Sequence, residues 1–176
     1  MNNIVFFGGI HGVGKSTICK DLCKNLDLEY LSASSLIKWE QINGGGNTKN
    51  VKDIIGAQRQ LIQGLKNIVQ EGKKYLLDGH YCLLNQNNQI EKVPLSTFQQ
   101  INPISLNIIL GDISIIQKRL QGRDNKLYKE ELLQQFQEEE LEYAIWLSRT
   151  LGITLNIGTQ NEYLSLLKSL RSDLSN

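Results

Sequence analysis

The stretch that most restricts the fold of this 176-residue chain is Gly9-Ile10-His11-Gly12-Val13-Gly14-Lys15-Ser16. It matches G-x-x-x-x-G-K-[ST], a loop whose backbone N–H groups cradle phosphates. Ile4-Val5-Phe6-Phe7 before it is an apolar run suited to a buried parallel strand. Thr17 to Leu26 after it carries apolar residues at helical spacing. The strand aims the loop, and glycine lets consecutive N–H groups turn inward. The helix start adds unpaired donors and the positive end of its dipole. Gly9, His11, Gly12, Val13, Gly14, Lys15, Ser16 and Thr17 are therefore expected around a nucleoside triphosphate. Lys15 would reach the β- and γ-phosphates, and the Ser16 hydroxyl would coordinate Mg²⁺. A pattern this short can occur by chance, but strand and helix both in register argue against that.

Composition narrows the rest. At 176 residues the chain has the size of one domain with one core, so residues 1–176 read as a single unit. Hydrophobic content of 40% and charged content of 21% are those of an ordinary globule. A net charge of +1 gives no global field to attract nucleic acid or an anionic membrane. Charged or polar residues interrupt every apolar run before membrane-spanning length. The N-terminus enters a strand directly, with no signal-peptide pattern, so the expected location is the cytoplasm. Cys19, Cys23 and Cys82 are expected as reduced, partly buried thiols. Two histidines, His11 and His80, are too few for a histidine-based zinc site.

Strand and helix patterns alternate along the chain. Strands are predicted at Glu29–Leu31, Tyr75–Leu77, Ile104–Leu110 and Ile153–Ile157. Helices are predicted at Ser34–Glu40, Val51–Glu71, Ser96–Gln100, Ile113–Leu120, Lys129–Leu151 and Glu162–Leu170, with Gly72 ending the second. Asn43-Gly44-Gly45-Gly46-Asn47 reads as a loop. Asn85 to Gln89 reads as a polar turn able to join two short strands. Repeated strand–helix units imply an α/β fold with a parallel sheet covered by helices on both faces.

Two further stretches carry chemistry. Tyr75-Leu76-Leu77-Asp78-Gly79-His80 ends an apolar strand, and ligands sit off the carboxyl ends of such strands. A carboxylate there either holds Mg²⁺ through water or accepts a proton from an attacking hydroxyl. The plainer reading of Asp78 is a turn residue before glycine. His80 either touches a substrate or simply packs. In Arg119-Leu120-Gln121-Gly122-Arg123, the two arginines share a helix face and suit a lid over about residues 119–129, with Gly122 as its bend. The plainer reading is a solvated helix end.

Together these stretches resemble small P-loop kinases of the adenylate kinase or nucleoside monophosphate kinase type. Gly9–Ser16 is similar to their phosphate loop, and Asp78-Gly79 to the Asp-Gly that closes their third strand. Ser32-Ala33-Ser34-Ser35-Leu36-Ile37-Lys38 resembles the stretch opening their acceptor site, and Arg119 to Arg123 their Arg-x-x-Gly-Arg. The resemblance implies a P-loop NTPase fold with a five-stranded sheet ordered 2-3-1-4-5. It implies ATP and Mg²⁺ as ligands, an adenine base near Arg119, acceptor-site helices over about residues 32–71, and Ser32, Ser35, Lys38, Asp78 and His80 toward the acceptor. The chain departs where His80-Tyr81-Cys82 replaces Phe-Pro-Arg and where Lys38 replaces an arginine, since lysine offers a point charge in place of a fork. Residues 81–94 have no counterpart, and the lid segment is too short for a folded lid domain.

The expected activity is ATP-dependent phosphoryl transfer to a small molecule, a nucleotide or a nucleoside. Lys15, Asp78, Arg119 and Arg123 would be its catalytic groups, with Ser16 and Asp78 around the metal. The alternative is an ATP-binding or ATP-hydrolysing regulatory module acting with a protein partner. Phosphorylation of nucleic-acid ends is disfavoured by the near-zero net charge, because such binding normally needs a basic stripe.

Overall fold

The computed structural model describes residues 1–43, 54–85, 87, 89–124 and 128–175. β1 (Ile4–Gly8) is buried along its whole length, as an apolar strand with a neighbour on each edge and helices on both faces must be. It pairs in parallel with β3 (Tyr75–Asp78) and β6 (Ser105–Leu110). β2 (Glu29–Ser32) adds to β3, and β7 (Leu155–Thr159) to β6, giving a five-stranded sheet β2-β3-β1-β6-β7. Counting only strands of this sheet, the order is 2-3-1-4-5, as the resemblance implies. β4 (Cys82–Leu84) and β5 (Ile90–Lys92) form a separate antiparallel hairpin within residues 81–94. Asn85 holds its turn, accepting hydrogen bonds at Oδ1 from the Asn87 and Gln89 amides.

The helices are α1 (Lys15–Leu26), α2 (Ala33–Asn43), α3 (Ile54–Ile68), α4 (Leu95–Ile101), α5 (Ile113–Asp124), α6 (Glu130–Leu151) and α7 (Tyr163–Ser175). α1 packs on β3 and α7, while α6 packs on β6, α5 and the hairpin. Phe6, Tyr81, Phe98 and Tyr143 form an aromatic chain through the core, with centroid spacings of 5.1 Å for Phe6–Tyr81 and 5.2 Å for Phe6–Phe98. Among the described residues no helix is long and apolar enough to cross a membrane.

Several element ends depart from the sequence pattern, and in the first two another group becomes the backbone's partner. The pattern carries α3 to Glu71, but the helix stops at Ile68. The Tyr75 hydroxyl accepts the Gln70 N–H, and the Asn3 amide donates to the Gln70 and Lys73 carbonyls. Gly72, with φ of 83°, lies beyond the end and does not form it. The pattern starts the last strand at Ile153, but Ser148 takes both polar groups of that residue and the ladder begins at Leu155. α5 continues through Gly122 to Asp124 where a bend was predicted. A helical glycine costs roughly 1 kcal/mol, and α5 is pinned nearby by the buried Ile116 and Leu120. Residues 51–53, the predicted glycine loop at 44–47 and lid residues 125–127 lie outside the described residues.

Candidate active site

Register brings the site together. Asp78 pairs with Phe7 on one side and with Ser32 on the other, so the carboxyl ends of β1, β2 and β3 finish level. The phosphate loop leaves β1 at that point. Gly14, with φ of 90°, occupies the left-handed region just before α1, a conformation that favours glycine. A Cβ there would also sit 1.8 Å from the Gln160 side-chain nitrogen. Lys15 opens α1 and is 6% exposed.

These constraints assemble a compact polar cluster. Lys15 Nζ donates to the Gly9 carbonyl at 3.0 Å and lies 3.5 Å from Asp78 Oδ1. Asp78 Oδ2 accepts hydrogen bonds from Ser16 Oγ at 2.6 Å and from the Tyr30 hydroxyl at 2.8 Å. Burial, then the bond to Asp78, pushes the Tyr30 hydroxyl up to about 12, so it stays a donor. Ser16 and Asp78 thus put two hard oxygen donors on one spot beside a fixed cation, which is the donor chemistry Mg²⁺ takes.

Beneath the loop lies a group the sequence analysis missed. Glu140, on α6, has no exposed surface. Its carboxylate accepts the Gly9 N–H at 3.0 Å and the Tyr81 and Cys82 N–H groups at 3.1 and 3.2 Å. One side chain therefore ties the start of the phosphate loop to the chain leaving β3. Burial raises Glu140 to about 7, against the opposing pull of Lys15 and the three amides. His80 Nδ1 is 3.5 Å from Glu140 Oε1, yet has no hydrogen-bond partner among the described residues. Burial first and Lys15 second lower His80 to about 3, so its ring is neutral. The His11 ring lies 4.1 Å from it, and its pKa too is lowered, chiefly by His80.

The cluster forms one end of a cavity of about 880 Å³. His11, Gly12, Gly14, Lys15, Ser16 and Thr17 line that end, together with Arg119 and Arg123. Gly9 and Val13 do not line it: Gly9 holds Glu140 and Lys15, and Val13 is buried with its carbonyl bonded to Gln160. Arg119 donates to the Gly12 carbonyl at 3.4 Å and to Gln160 Oε1 at 3.2 Å, bracing the loop from the side. Ser32, Lys38, Asp78 and His80 line the cavity as expected, but Ser35 does not. α2 begins at Ala33, and that helical phase turns Ser34 into the cavity and leaves Ser35 exposed elsewhere. The far end is lined by Ile37, Leu61, Leu83, Phe98 and Ile101, with Gln58 and Thr97 among them.

Cys19, Cys23 and Cys82 are unpaired and buried. Burial lifts all three above the ordinary thiol range, Cys23 to about 11 and Cys82 to about 12, so they are inert.

The missed residues left a signal. Glu140 stands in helical phase with the buried Leu133, Phe136, Tyr143, Ala144 and Leu147, so it is an acid on an apolar stripe. Gln58 likewise keeps phase with Leu61, Ile62 and Leu65. Such residues are almost never buried without partners or purpose. Tyr30 and Gln160 had no comparable mark.

The family model described as AAA domain matches residues 8–135. The fold is also similar to that of solved structures. A gluconokinase from Sinorhizobium meliloti 1021 aligns with a TM-score of 0.55 at 14% identity, over 98% of this chain and 95% of that one. An uncharacterised protein from Eubacterium ventriosum ATCC 27560 aligns with a TM-score of 0.52 at 14% identity, over 99% of each. A protein provisionally assigned as a kinase, from Chloroflexus aurantiacus J-10-fl, gives 0.60 at 14% identity over 98% of each. At that identity the likeness speaks for the fold. Comparison with curated proteins gives no match.

Proposed function

The chain belongs to the AAA domain family, and we propose that it is an ATP- and Mg²⁺-dependent kinase that phosphorylates a small molecule, a nucleotide or a nucleoside. The observation that carries this reading is the Lys15–Asp78–Ser16 cluster at one end of a cavity whose other end is still open to a second ligand. A hydrolase needs room only for water, whereas 880 Å³ accommodates two small molecules.

ATP would supply the γ-phosphoryl group, and Ser16 and Asp78 are the residues that would hold Mg²⁺ to offset its negative charge. The protein's share is positioning and electrostatics. The N–H groups of residues 12–17 and Lys15 hold the phosphates. Arg119 and Arg123 direct fixed forks of N–H donors at charge that grows during transfer. Asp78 has both oxygens engaged, by Ser16, Tyr30 and Lys15, which favours its metal-side role over that of a proton acceptor. Ser32, Lys38 and His80 face the acceptor. The same reading takes residues 1–176 as one unit working in the cytoplasm.

The test is transfer of labelled γ-phosphate from ATP to a panel of small acceptors, with Mg²⁺ present. Acceptor-dependent labelling and ADP formation are expected. ATP turnover that only a protein partner accelerates would replace this reading with that of a regulatory module.

A further inference from the structure

From the far end of the cavity we infer that the phosphoryl acceptor is an uncharged molecule with a flat, amide-edged ring and a free hydroxyl, a nucleoside in preference to a nucleotide; this rests on the kinase reading above. The first observation is Gln58. It is 7% exposed and lines the cavity, and its amide makes no hydrogen bond among the described residues. The amide opens to the cavity from the apolar stripe of α3, a position where leucine would pack without presenting a donor or an acceptor there. Thr97 on α4 repeats the pattern: it is 3% exposed, lines the same cavity, and its hydroxyl has no partner among the described residues. An amide presents a donor and an acceptor side by side, the complement of a ring edge that carries C=O next to N–H, or ring nitrogen next to NH₂.

The second observation is what surrounds the pair. Phe98, Leu83 and Ile101 line the same cavity with apolar side chains against which such a ring packs. Among the described residues at that end, Lys38 is the one cationic side chain lining the cavity, and it is exposed to solvent. Arg59 and Lys66 do not line this cavity; they line an adjoining hollow of about 390 Å³, which Gln58 and Thr97 line as well. A phosphate dianion seated among apolar side chains would lose its hydration with little in return. A sugar acid would bring several hydroxyls and a carboxylate to the same apolar walls. A neutral ring loses little, and its attached hydroxyl then extends toward Asp78 and the phosphate loop. In the step itself, the hydroxyl oxygen forms a bond to the γ-phosphorus as the bond from that phosphorus to the ADP oxygen breaks. The hydroxyl proton passes to solvent.

The full-length chain is to be tested with ATP and Mg²⁺ against adenosine, guanosine, cytidine and uridine, their 5′-monophosphates, and D-gluconate. Binding of a non-hydrolysable ATP analogue is measured in parallel. At least one nucleoside is expected to accept phosphate with a kcat/KM more than tenfold above that of its monophosphate and of gluconate. Gln58→Leu should raise the KM for that nucleoside about ten- to a hundredfold, the usual consequence of an unpaired ring edge, while kcat changes less than threefold. Gln58→Glu, which keeps an acceptor but loses the donor, should change the order of preference among the four bases. Melting curves of both variants establish that they are folded. Equal or better transfer to a monophosphate or to gluconate overturns the inference. So does a chain that binds the ATP analogue yet neither binds nor phosphorylates any nucleoside, and so does an unchanged KM in folded Gln58→Leu. Failure to bind the analogue at all overturns the kinase reading itself.

Discussion

At the phosphate-loop end of the cavity the polar groups around Asp78 and Glu140 already have partners among the described residues, His80 Nδ1 excepted. Lys15 rests between Gly9 and Asp78, Ser16 and Tyr30 share one oxygen of Asp78, and Glu140 takes three backbone amides from two loops. At the α3–α4 end, Gln58 and Thr97 line the cavity among apolar side chains and make no side-chain hydrogen bond among the described residues. The first end is preorganised: fixed dipoles and charges need little rearrangement when a triphosphate arrives. The second end is a set of unmet hydrogen-bonding groups, so its ligand completes the structure and is selected by shape and edge pattern. Changes at the first end should therefore alter kcat with any acceptor, and changes at the second should alter KM for one.

The comparison is tested most severely by Lys15→Ala, which removes the side-chain cation of the loop. kcat should fall by about a thousandfold or more with every acceptor, as loss of a preorganised charge does, and the melting temperature should stay near that of wild type. Near-normal turnover would remove residues 9–16 from the site. Asp78→Asn keeps the size but not the charge facing Ser16 and Lys15. About a hundredfold loss in kcat is expected, and stability should change little. A variant that unfolds yet retains normal specific activity in its folded fraction would make Asp78 structural.

Arg123→Ala sharpens the contrast. If Arg123 serves charge that develops only in transfer, kcat should drop about tenfold to a hundredfold with a smaller change in ATP affinity. Equal losses in both would make it an ordinary binding residue. Hydrogen exchange over residues 119–129 with and without nucleotide adds to this, because a lid becomes protected on binding.

Glu140 is expected to act on stability and not on turnover. Its folded-state pKa, about 7, lies above the ordinary 4.5. Its contribution to stability is thus full below about pH 4.5 and is lost as pH rises through 7. His80, lowered from 6.5 to about 3, acts in the opposite sense: its contribution is present above 6.5 and lost as pH falls. Between pH 4.5 and 7 the wild type should lose about 3 kcal/mol of unfolding free energy relative to Glu140→Gln, which does not titrate there. Parallel pH profiles would mean that the Glu140 carboxylate keeps its ordinary pKa.

How readily each end could be read from the sequence follows from the same contrast. Phosphate binding is done by backbone, so it demands glycines and one lysine at fixed local spacing, and Gly9 to Ser16 carries all of them. Asp78 could be found because it ends an apolar strand beside that loop. Ser35 misled because a shift of one residue in the start of α2 rotates the helix by about 100°, and no local signal separates Ser34 from Ser35. The predicted helix end at Leu120 fell short because local propensity was weighed without the burial of Ile116 and Leu120, and α5 continues through Gly122 to Asp124.

Sequence alone determined the sheet with its covering helices, the phosphate loop, and the placing of Asp78 opposite it. Those depend on periodicity and on contacts between near neighbours in the chain, which composition and spacing record directly. Tertiary structure alone decided that Glu140 lies under Gly9, 131 residues away, that Tyr30 shares Asp78, and that Gln58 and Thr97 meet at the far end of the cavity. Such pairings arise when separate elements pack, and a side chain's partner across the core leaves only a faint mark in its own segment, here a polar residue in phase with apolar ones.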